Sequence, residues 1–258
     1  MNYNAVIKSI KEITPDIRLF RIKLENGAKL EYTAGQFAVL GLPDDAGNLD
    51  GEWHRRAYSI TSAPSADEVE FYIVLVEDGR LTSRLFALSE GAKIFMGEKV
   101  AGLMSLDGLP DDRDVLFVCT GTGIAPFISM LREHGGTLLN GKRQVALVQG
   151  SRHTYELGFS GELTELMKSN PNFHYFQVVS RAESETGTNW TGRTGHVQTL
   201  LKDGTIEKTL GRGFDPASLS VFLCGNPKMV DEVVDIFKDK GFTPKTPTSD
   251  GNLYFDKH

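Results

Sequence analysis

The chain has 258 residues, of which 40% are apolar and 24% are charged, with a net charge of -6. This length allows two hydrophobic cores of ordinary size. The negative charge argues against nucleic acid or an anionic membrane surface as a partner. No apolar run approaches the roughly 20 residues that cross a bilayer, and the first residues lack the apolar segment of a secretory signal. We therefore expect a cytoplasmic protein that acts away from membranes.

The sequence contains two cysteines, Cys119 and Cys224. Two thiols cannot form a disulfide framework or a four-thiolate metal or iron-sulfur site. We expect no metal site, so any redox chemistry has to use an organic cofactor.

The first hundred residues contain short runs rich in β-branched and aromatic residues, separated by Gly, Pro and Asp. Such runs predict strands, and their spacing indicates a small antiparallel barrel. One short helix is predicted over 82–88. The predicted strands are 5–10, 17–24, 36–42, 56–60, 69–76 and 93–103.

After a turn-rich stretch at 107–112, apolar strands alternate with amphipathic helices. This alternation is typical of a parallel sheet covered by helices. The predicted strands are 115–119, 145–149, 175–179 and 221–224, and the predicted helices are 125–134, 161–169, 197–201 and 227–240.

The change of pattern predicts a β + α/β fold with two domains. An antiparallel β-barrel is expected over 1–103, and a parallel-sheet α/β domain is expected over 114–258. We expect the polar loop 187–192 to be the most mobile segment.

The segment Thr120-Gly121-Thr122-Gly123 joins a predicted buried strand to a predicted helix. A Gly-rich turn in this context offers the close backbone approach and the positive helix end that a nucleotide pyrophosphate requires. Pro126 replaces the third glycine of the usual fingerprint, and proline is tolerated in a first helical turn. We predict a dinucleotide-binding loop, with a purely structural turn as the alternative.

Polar residues follow successive strands of the α/β domain. Ser151 and Arg152 follow the second strand, Ser180 and Arg181 follow the third, and Arg193 lies in the next loop. Such positions gather at the carboxyl edge of a parallel sheet, where ligands bind. Because guanidinium groups pair with phosphate oxygens, the three arginines favour NADP over NAD. For each arginine alone, a solvated surface charge is the alternative.

A second turn, Cys224-Gly225-Asn226-Pro227-Lys228, ends the last predicted strand and begins a helix. It is also placed to touch a bound nucleotide. Inert packing is the alternative role for the Cys224 thiol.

The strand Arg56-Ala57-Tyr58-Ser59 offers a cation, an aromatic ring and a hydroxyl, which are groups that a bound flavin requires. Strand alternation places Arg56 and Tyr58 on one face and Ala57 and Ser59 on the other. A twist or a bulge is therefore needed for all four to serve one ligand. An ordinary structural strand is the alternative.

A second candidate flavin element is Gly79-Arg80-Leu81-Thr82-Ser83, which precedes the short predicted helix. Thr82 or Ser83 is predicted to cap that helix, whose N–H groups would face a phosphate. The strand 72–75 leads into it and offers backbone polar groups for a flavin edge. A plain helix cap is the alternative.

Taken in chain order, these motifs resemble those of the bacterial ferredoxin–NADP(+) reductase family, also called flavodoxin reductases, and the resemblance covers nearly the whole chain. The resemblance implies that the barrel binds FAD and the α/β domain binds NADP, and that an aromatic residue of the tail lies against FAD. The tail departs from the family's usual endings because Asp256-Lys257-His258 follows the aromatic pair. The resemblance rests on 34–37, 56–59, 79–82, 121–126, 180–181, 192–193 and 224–229.

The implied site residues fall into two groups. Those that would contact FAD are Arg56, Ala57, Tyr58, Ser59, Tyr72, Ile73, Val74, Leu75, Arg80, Leu81, Thr82, Thr122, Tyr254 and Phe255. Those that would contact NADP are Thr120, Gly121, Gly123, Ser151, Arg152, Ser180, Arg181, Arg193, Cys224, Gly225, Asn226 and Lys228.

The resemblance implies an enzyme in which NADPH gives a hydride to N5 of FAD and the flavin passes single electrons to ferredoxin or flavodoxin. Two residues are predicted to be catalytic: Ser59 as a hydrogen-bond partner of N5, and Cys224 as a packing partner of the nicotinamide at C4. We expect a monomer. An acidic partner would need a basic rim, with candidates Arg18, Arg21, His54, Arg55, Arg80 and Arg84.

Two other functions share the same motifs. One is an FAD-containing NAD(P)H reductase component of an oxygenase, or a cytochrome b5 reductase-like enzyme, which commonly prefers NADH. The other is a non-catalytic flavin-binding redox subunit. The three arginines favour NADPH, and two cysteines cannot supply the cysteine cluster of such subunits in the dihydroorotate dehydrogenase type.

Overall fold

The computed structural model describes residues 2–46, 48–139, 143–182 and 189–257. The chain divides into two compact units. Unit 1 comprises Met1–Ser105 with Ala125–Glu133, and unit 2 comprises Leu106–Ile124 with His134–His258. Across the described ranges, no helix has both the length and the apolar character needed to cross a membrane. The loop predicted to be most mobile, 187–192, lies partly outside the described residues.

Unit 1 is built on a six-stranded sheet in which each ladder is antiparallel. The strand order is β4-β3-β6-β1-β2-β5. A bridge between Ile60 and Phe71 joins the two ends of this order, so the sheet closes into a barrel. The strands are β1 Ala5–Thr14, β2 Ile17–Leu24, β3 Phe37–Pro43, β4 Trp53–Ser59, β5 Val69–Val74 and β6 Lys93–Met96.

Apolar side chains at alternate strand positions fill the barrel. On β2, for example, Phe20, Ile22 and Leu24 are buried while Arg21 and Lys23 are exposed. A short helix, α1 (Thr82–Phe86), follows β5. Helix α2 spans Ala125–Leu138, and its first nine residues belong to unit 1.

Unit 2 is built on a second six-stranded sheet, whose ladders are all parallel. The strand order is β10-β9-β8-β7-β11-β12. The strands are β7 Asp114–Thr120, β8 Val145–Ser151, β9 Phe173–Val179, β10 Arg193–Thr194, β11 Leu219–Gly225 and β12 Leu253–Lys257.

The remaining helices of unit 2 lie between or after its strands. Strands β7, β8 and β11 are mostly apolar and almost fully buried, as expected for a covered parallel sheet, whereas β9 also contains the half-buried polar residues His174 and Gln177. Helix α6 places Val230, Val233 and Phe237 against Val118 and Leu223 of the sheet in one buried cluster. The helices are α3 Ser160–Ser169, α4 Val197–Lys202, α5 Thr205–Leu210 and α6 Pro227–Lys238.

The predicted β + α/β fold class is confirmed, with differences at the weakest signals. The strand predicted over 93–103 ends at Met96. Helix α5 and strands β10 and β12 were not predicted from the sequence. Each of these elements has six residues or fewer, which is too short for hydrophobic periodicity to identify it.

Candidate cofactor-binding sites

The residues predicted to bind NADP lie at the carboxyl edge of the parallel sheet. Thr120 ends β7 and Ser151 ends β8. Beyond β8 and β9 the pairing continues, because the backbone N–H of Ser180 donates to the carbonyl of Ser151 (3.0 Å) and that of Arg181 to the carbonyl of Arg152 (2.8 Å). The structure thus brings both Ser-Arg pairs side by side.

Two backbone turns meet at this edge, one after β7 and one after β11. The Thr120 hydroxyl accepts a hydrogen bond from the backbone N–H of Asn226 at 3.0 Å. A β-carbon on Gly123 would lie 2.3 Å from the Cys224 carbonyl oxygen, and one on Gly225 would lie 2.5 Å from the Thr120 hydroxyl oxygen. The turns can approach this closely only because both positions lack a side chain.

The first turn also leaves space for a ligand. Gly121 has a φ of +56°, and a β-carbon there would meet open space. Gly121–Ile124 forms one 3-10 turn that runs into α2, with Pro126 in the first turn of that helix. Thr122 is half-buried in this turn. Pro126 is tolerated in α2 for the reason expected from the sequence, and Pro227 likewise lies in the first turn of α6.

The second turn caps helix α6. The Asn226 side-chain oxygen accepts from the backbone N–H groups of Lys228 (3.0 Å) and Met229 (3.4 Å). Lys228 is exposed, whereas the Cys224 and Cys119 side chains are completely buried. Burial raises the pKa of the Cys119 thiol well above its usual range, so this thiol stays protonated.

We expect Gly123→Ala to weaken NADPH binding about tenfold and to lower the free energy of unfolding by about 1–3 kcal/mol, because the new methyl group overlaps the backbone at Cys224. Fluorescence titration and thermal unfolding measure both effects. Gly135→Ala in α2 is the matched control, since a β-carbon there meets nothing within 4 Å and should be neutral or stabilising. Equal behaviour of the two variants would contradict the proposed close approach.

Two predicted phosphate-binding arginines are held by carboxylates of unit 2. Arg152 Nη2 donates to Glu156 Oε1 at 3.0 Å. Arg193 Nη1 donates to Asp203 at 3.1 Å, and its Nη2 donates to the Thr205 hydroxyl at 3.0 Å. Hydrogen bonds from Thr205, together with the nearby Arg193, hold the pKa of the Asp203 carboxyl below its usual value.

Sequence reasoning missed Glu156 and Asp203. Glu156 lies four residues after Arg152, a spacing that indicates an ion pair only on a helix, and no α-helix was predicted or is present over 152–156. No signal pointed to Asp203 either, because it is brought to Arg193 by the turn between α4 and α5.

In unit 1, the predicted flavin strand is β4, which lies at one end of the sheet order. Arg56 and Ala57 are exposed, Tyr58 is half-buried against the barrel core, and Ser59 is buried. Burial raises the pKa of Tyr58 to about 12, so its hydroxyl remains a donor at neutral pH. The ladder to β3 runs from Phe37–Ser59 to Pro43–Trp53 without a register shift, so the bulge considered for this strand is absent from the ladder.

The second predicted flavin element differs from expectation in its side chains. Neither Thr82 nor Ser83 caps α1, because the residue at the cap is Leu81 and it makes no side-chain cap bond. The Thr82 hydroxyl instead accepts from the backbone N–H of Val76 (3.1 Å), and Ser83 donates to the carbonyl of Gly79 (2.5 Å). The predicted caps are therefore wrong, since both hydroxyls bond back to the preceding turn.

The strand before this element is mostly buried. Ile73 and Leu81 belong to the barrel core, and Tyr72 is 3% exposed. Val74 and Leu75 are half-buried. A ligand could meet Ile73 and Leu81 only through their backbone. Arg80, by contrast, has a 69% exposed side chain that pairs with Glu52 at 3.4 Å.

The predicted aromatic tail forms strand β12, which pairs with β11. The Tyr254 ring stacks on Phe222, with ring centroids 4.3 Å apart and planes 11° apart. Phe255 packs with the cluster that contains Leu223 and Val230. Successive strand residues point to opposite faces, so Tyr254 and Phe255 cannot both stack on one ligand ring.

Asp256 follows on this strand, in register with Cys224. Its Oδ2 is buried without a hydrogen-bond partner among the described residues, and burial raises its pKa to about 6. The ordinary pKa is 3.8, so the ionised carboxyl destabilises the fold above about pH 6. This cost declines as the pH falls from 6 towards 3.8.

Asp256→Asn is therefore expected to raise Tm by about 2–4 °C at pH 8, which corresponds to roughly 1 kcal/mol after allowing for solvent screening. Near pH 4 the gain should vanish, because the wild-type carboxyl is then protonated in the folded protein. Thermal melts of both proteins at the two pH values check this. An equal gain at both would show that ionisation of Asp256 carries no cost.

The candidate basic rim is largely paired with acidic residues of unit 1. Asp44 accepts from both His54 (2.8 Å) and Arg84 (2.5 Å), and these contacts lower the pKa of its carboxyl. His54 is buried, so it does not offer a surface charge as predicted. Arg18 pairs with Glu12 and Arg21 pairs with Glu70, while Arg55 is exposed.

Two domain families match the chain. The oxidoreductase FAD-binding domain matches residues 4–98, and the oxidoreductase NAD-binding domain matches residues 117–235. The first range contains β1–β6, and the second contains the end of β7 and all of β8–β11.

Curated relatives and solved structures agree with these matches. Flavodoxin/ferredoxin–NADP reductase of Escherichia coli K12 is 35% identical over 201 residues, covering 78% of this chain and 77% of the relative. The reductase of the same name from Buchnera aphidicola (subsp. Schizaphis graminum) is 30% identical, covering 99% and 98%.

The crystal structure of a ferredoxin–NADP(+) reductase from Neisseria gonorrhoeae with bound FAD and NADP superimposes with a TM-score of 0.84 at 28% identity, covering 98% of this chain and 97% of that one. The cytochrome b5 reductase domain of Ulva prolifera nitrate reductase gives a TM-score of 0.74 at 19% identity, covering 98% and 96%, and shares the fold. The family resemblance predicted from the motifs is confirmed: the chain belongs to the flavodoxin/ferredoxin–NADP reductase family.

Proposed function

We propose that the chain is an FAD-dependent ferredoxin/flavodoxin–NADP(+) reductase. It exchanges a hydride with NADP(H) and single electrons with a small ferredoxin or flavodoxin. In this proposal, residues 1–103 are the FAD-binding domain and residues 114–258 are the NADP-binding domain. The protein works as a cytoplasmic monomer.

The observation that carries the proposal is the order of groups along the carboxyl edge of the parallel sheet. Arg193, Ser180-Arg181, Ser151-Arg152, the 120–123 loop and the 224–226 turn follow one another on adjacent strands. Cations therefore stand at one end of the edge and glycine backbone at the other. This arrangement suits a dinucleotide with an added phosphate on its adenosine side.

The predicted flavin residues of unit 1 offer the types of side chain that FAD requires. Arg56 and Arg80 are exposed cations for a pyrophosphate, and Tyr58 is a half-buried aromatic ring with a protonated hydroxyl. When bound, FAD accepts a hydride from NADPH and passes the electrons on one at a time.

Several of the predicted residues have a defined task in this proposal. Ser59 hydrogen-bonds the flavin at N5, and the buried Cys224 packs against the nicotinamide. Arg152, Arg181 and Arg193 hold the 2'-phosphate. Tyr254 and Phe255 are the two candidate tail aromatics for the flavin; Tyr254 stacks on Phe222, and Phe255 packs with the apolar cluster of unit 2.

The test is to purify the protein, identify the released flavin, and mix the holoprotein anaerobically with NADPH or NADH. We expect bound FAD that NADPH bleaches faster than NADH, and transfer of electrons to ferredoxin or flavodoxin. A colourless protein that FAD does not reconstitute would overturn the proposal. Faster bleaching by NADH would favour the oxygenase-component or cytochrome b5 reductase-like function, and a flavin that stays yellow would favour the non-catalytic subunit.

The basic partner surface is tested separately by the dependence of ferredoxin reduction on ionic strength. Attraction between opposite charges on two surfaces weakens as salt is added. We expect the rate constant for ferredoxin reduction to fall with salt if Arg55, Arg80 and neighbouring cations receive an acidic partner. A flat response would exclude that surface.

A further inference from the structure

We propose that Glu156 is a positioning residue that sets the preference for NADPH by holding Arg152 in place for the 2'-phosphate. This inference rests on the proposed function. It assigns to a buried carboxylate the task of fixing both the backbone and the side chain of the first phosphate-binding arginine.

Glu156 makes its contacts with both carboxylate oxygens. Oε2 accepts from the backbone N–H of Arg152 at 3.0 Å and from that of His153 at 3.3 Å. Oε1 accepts from Arg152 Nη2 at 3.0 Å. One side chain therefore holds the turn after β8 and the guanidinium that projects from it.

Because Glu156 is buried, its carboxylate and the three N–H groups around it depend on one another for hydrogen bonds. Glu156 is 7% exposed, so a donor or acceptor lost there is poorly replaced by water. Three N–H donors converge on two carboxylate oxygens. A glutamine offers a single acceptor oxygen and turns an NH2 group towards a donor, so it cannot satisfy both sets of contacts.

The same contact leaves Arg152 able to bind a ligand. Its side chain is 59% exposed, and a guanidinium has five N–H donors, of which the contact with Glu156 uses one, on Nη2. The backbone of Arg152 is also fixed on its other side, because its carbonyl accepts from Arg181. Holding the side chain before binding reduces the ordering cost when the phosphate arrives.

Arg193 is held differently, which is why Glu156 is the stronger candidate. Its partner Asp203 has a side chain that is 37% exposed, and the arginine shares its contacts with the Thr205 hydroxyl. Water can replace a partner at that position, and loss of Asp203 should therefore matter less than loss of Glu156.

The experiment compares Glu156→Gln with wild-type holoenzyme. We expect KM for NADPH to rise about tenfold with kcat within twofold, and kcat/KM for NADH to stay within twofold. Calorimetric titration with 2',5'-ADP should show about tenfold weaker binding, whereas binding of 5'-ADP should not change. The control is Glu165→Gln, which removes an exposed carboxylate paired with Lys168 on α3 and should change none of these values.

A double-mutant cycle with Arg152→Ala tests the route of the effect. If Glu156 acts through Arg152, adding Glu156→Gln to Arg152→Ala should cause no further loss of NADPH preference. Additive losses, equal losses with NADPH and NADH, or an unchanged preference would each overturn the inference. If Glu156→Gln does not fold with bound flavin, Glu156→Asp replaces it. Aspartate keeps both carboxylate oxygens but is one methylene shorter, and we expect the same selective rise in KM for NADPH.

These outcomes are distinct from failure of the proposed function. If wild-type protein binds no FAD or does not oxidise NADPH, the proposed function fails. If it does both and Glu156→Gln retains the wild-type NADPH preference, only the role of Glu156 is lost.

Discussion

Replacing Arg152 and Arg193 together by alanine should lower kcat/KM for NADPH by about 100- to 1000-fold and leave kcat/KM for NADH within about threefold. Each guanidinium contact with a phosphate contributes roughly 1.5–3 kcal/mol, because such hydrogen bonds are charge-assisted. Because Arg152 and Arg193 also keep their carboxylate partners, we take the lower part of this range, about 1.5–2 kcal/mol per contact. Two contacts then account for about 3–4 kcal/mol, which is two to three orders of magnitude in rate. Steady-state kinetics with both nucleotides measures the effect.

The selectivity of the loss is the informative part of this experiment. NADH lacks the 2'-phosphate, so a fall in its turnover would indicate general damage to the sheet edge. Lys168→Ala serves as the matched control, since it removes an exposed cation of unit 2 that lies on α3 and pairs with Glu165. If NADPH preference survives in the double variant, the phosphate binds elsewhere and Arg181 becomes the first residue to test.

Much of this edge could be predicted because parallel strands obey a simple rule. Once strands are assigned to 145–149 and 175–179, the residues that follow them must meet at one edge of the sheet. The pairing of Ser180 and Arg181 with Ser151 and Arg152 is the direct result. Family motifs and the alternation of strands and helices therefore located the candidate NADP site without any knowledge of distances.

Other features depend on contacts that a sequence pattern does not encode. Thr82 was predicted to cap α1, yet its hydroxyl accepts from the backbone N–H of Val76, because the turn before the helix brings that group within 3.1 Å. Strand β12 was missed because Leu253–Lys257 is short and follows a polar stretch; only pairing with β11 makes it a strand. The orphan Oδ2 of Asp256 follows from that same pairing.

A buried carboxylate in the barrel illustrates the same limit on sequence reasoning. Glu70 lies on β5 at a position whose side chain is 5% exposed. It accepts from Arg21 Nε at 3.0 Å, across the ladder to β2, and from Arg132 Nη1 at 2.8 Å, on α2 within unit 1. Nothing in the run Val-Glu-Phe-Tyr distinguishes this residue from an exposed glutamate at the edge of a strand.

Glu70→Ala should lower the free energy of unfolding of unit 1 by about 1.5–3 kcal/mol, the range of a hydrogen bond to a charged group, because the two arginines that it leaves are 57% and 30% exposed. Arg21 and Arg132 lose their common acceptor. Urea unfolding followed by circular dichroism measures the loss. The matched control is Glu12→Ala, which breaks the pair with Arg18 through a carboxylate that is 59% exposed and should cost less than about 1 kcal/mol.

The contribution of the Arg132 contact is isolated by a cycle with Arg132→Ala. That variant leaves the buried Glu70 carboxylate with Arg21 as its remaining ion-pair partner among the described residues, so it should also destabilise the barrel. Because either single change already breaks the contact, the double variant should be more stable than the sum of the two losses predicts, by about 1–3 kcal/mol. Strict additivity would mean that Glu70 and Arg132 do not stabilise one another, and the stability of this part of the barrel would then rest on apolar packing and on the Arg21–Glu70 pair.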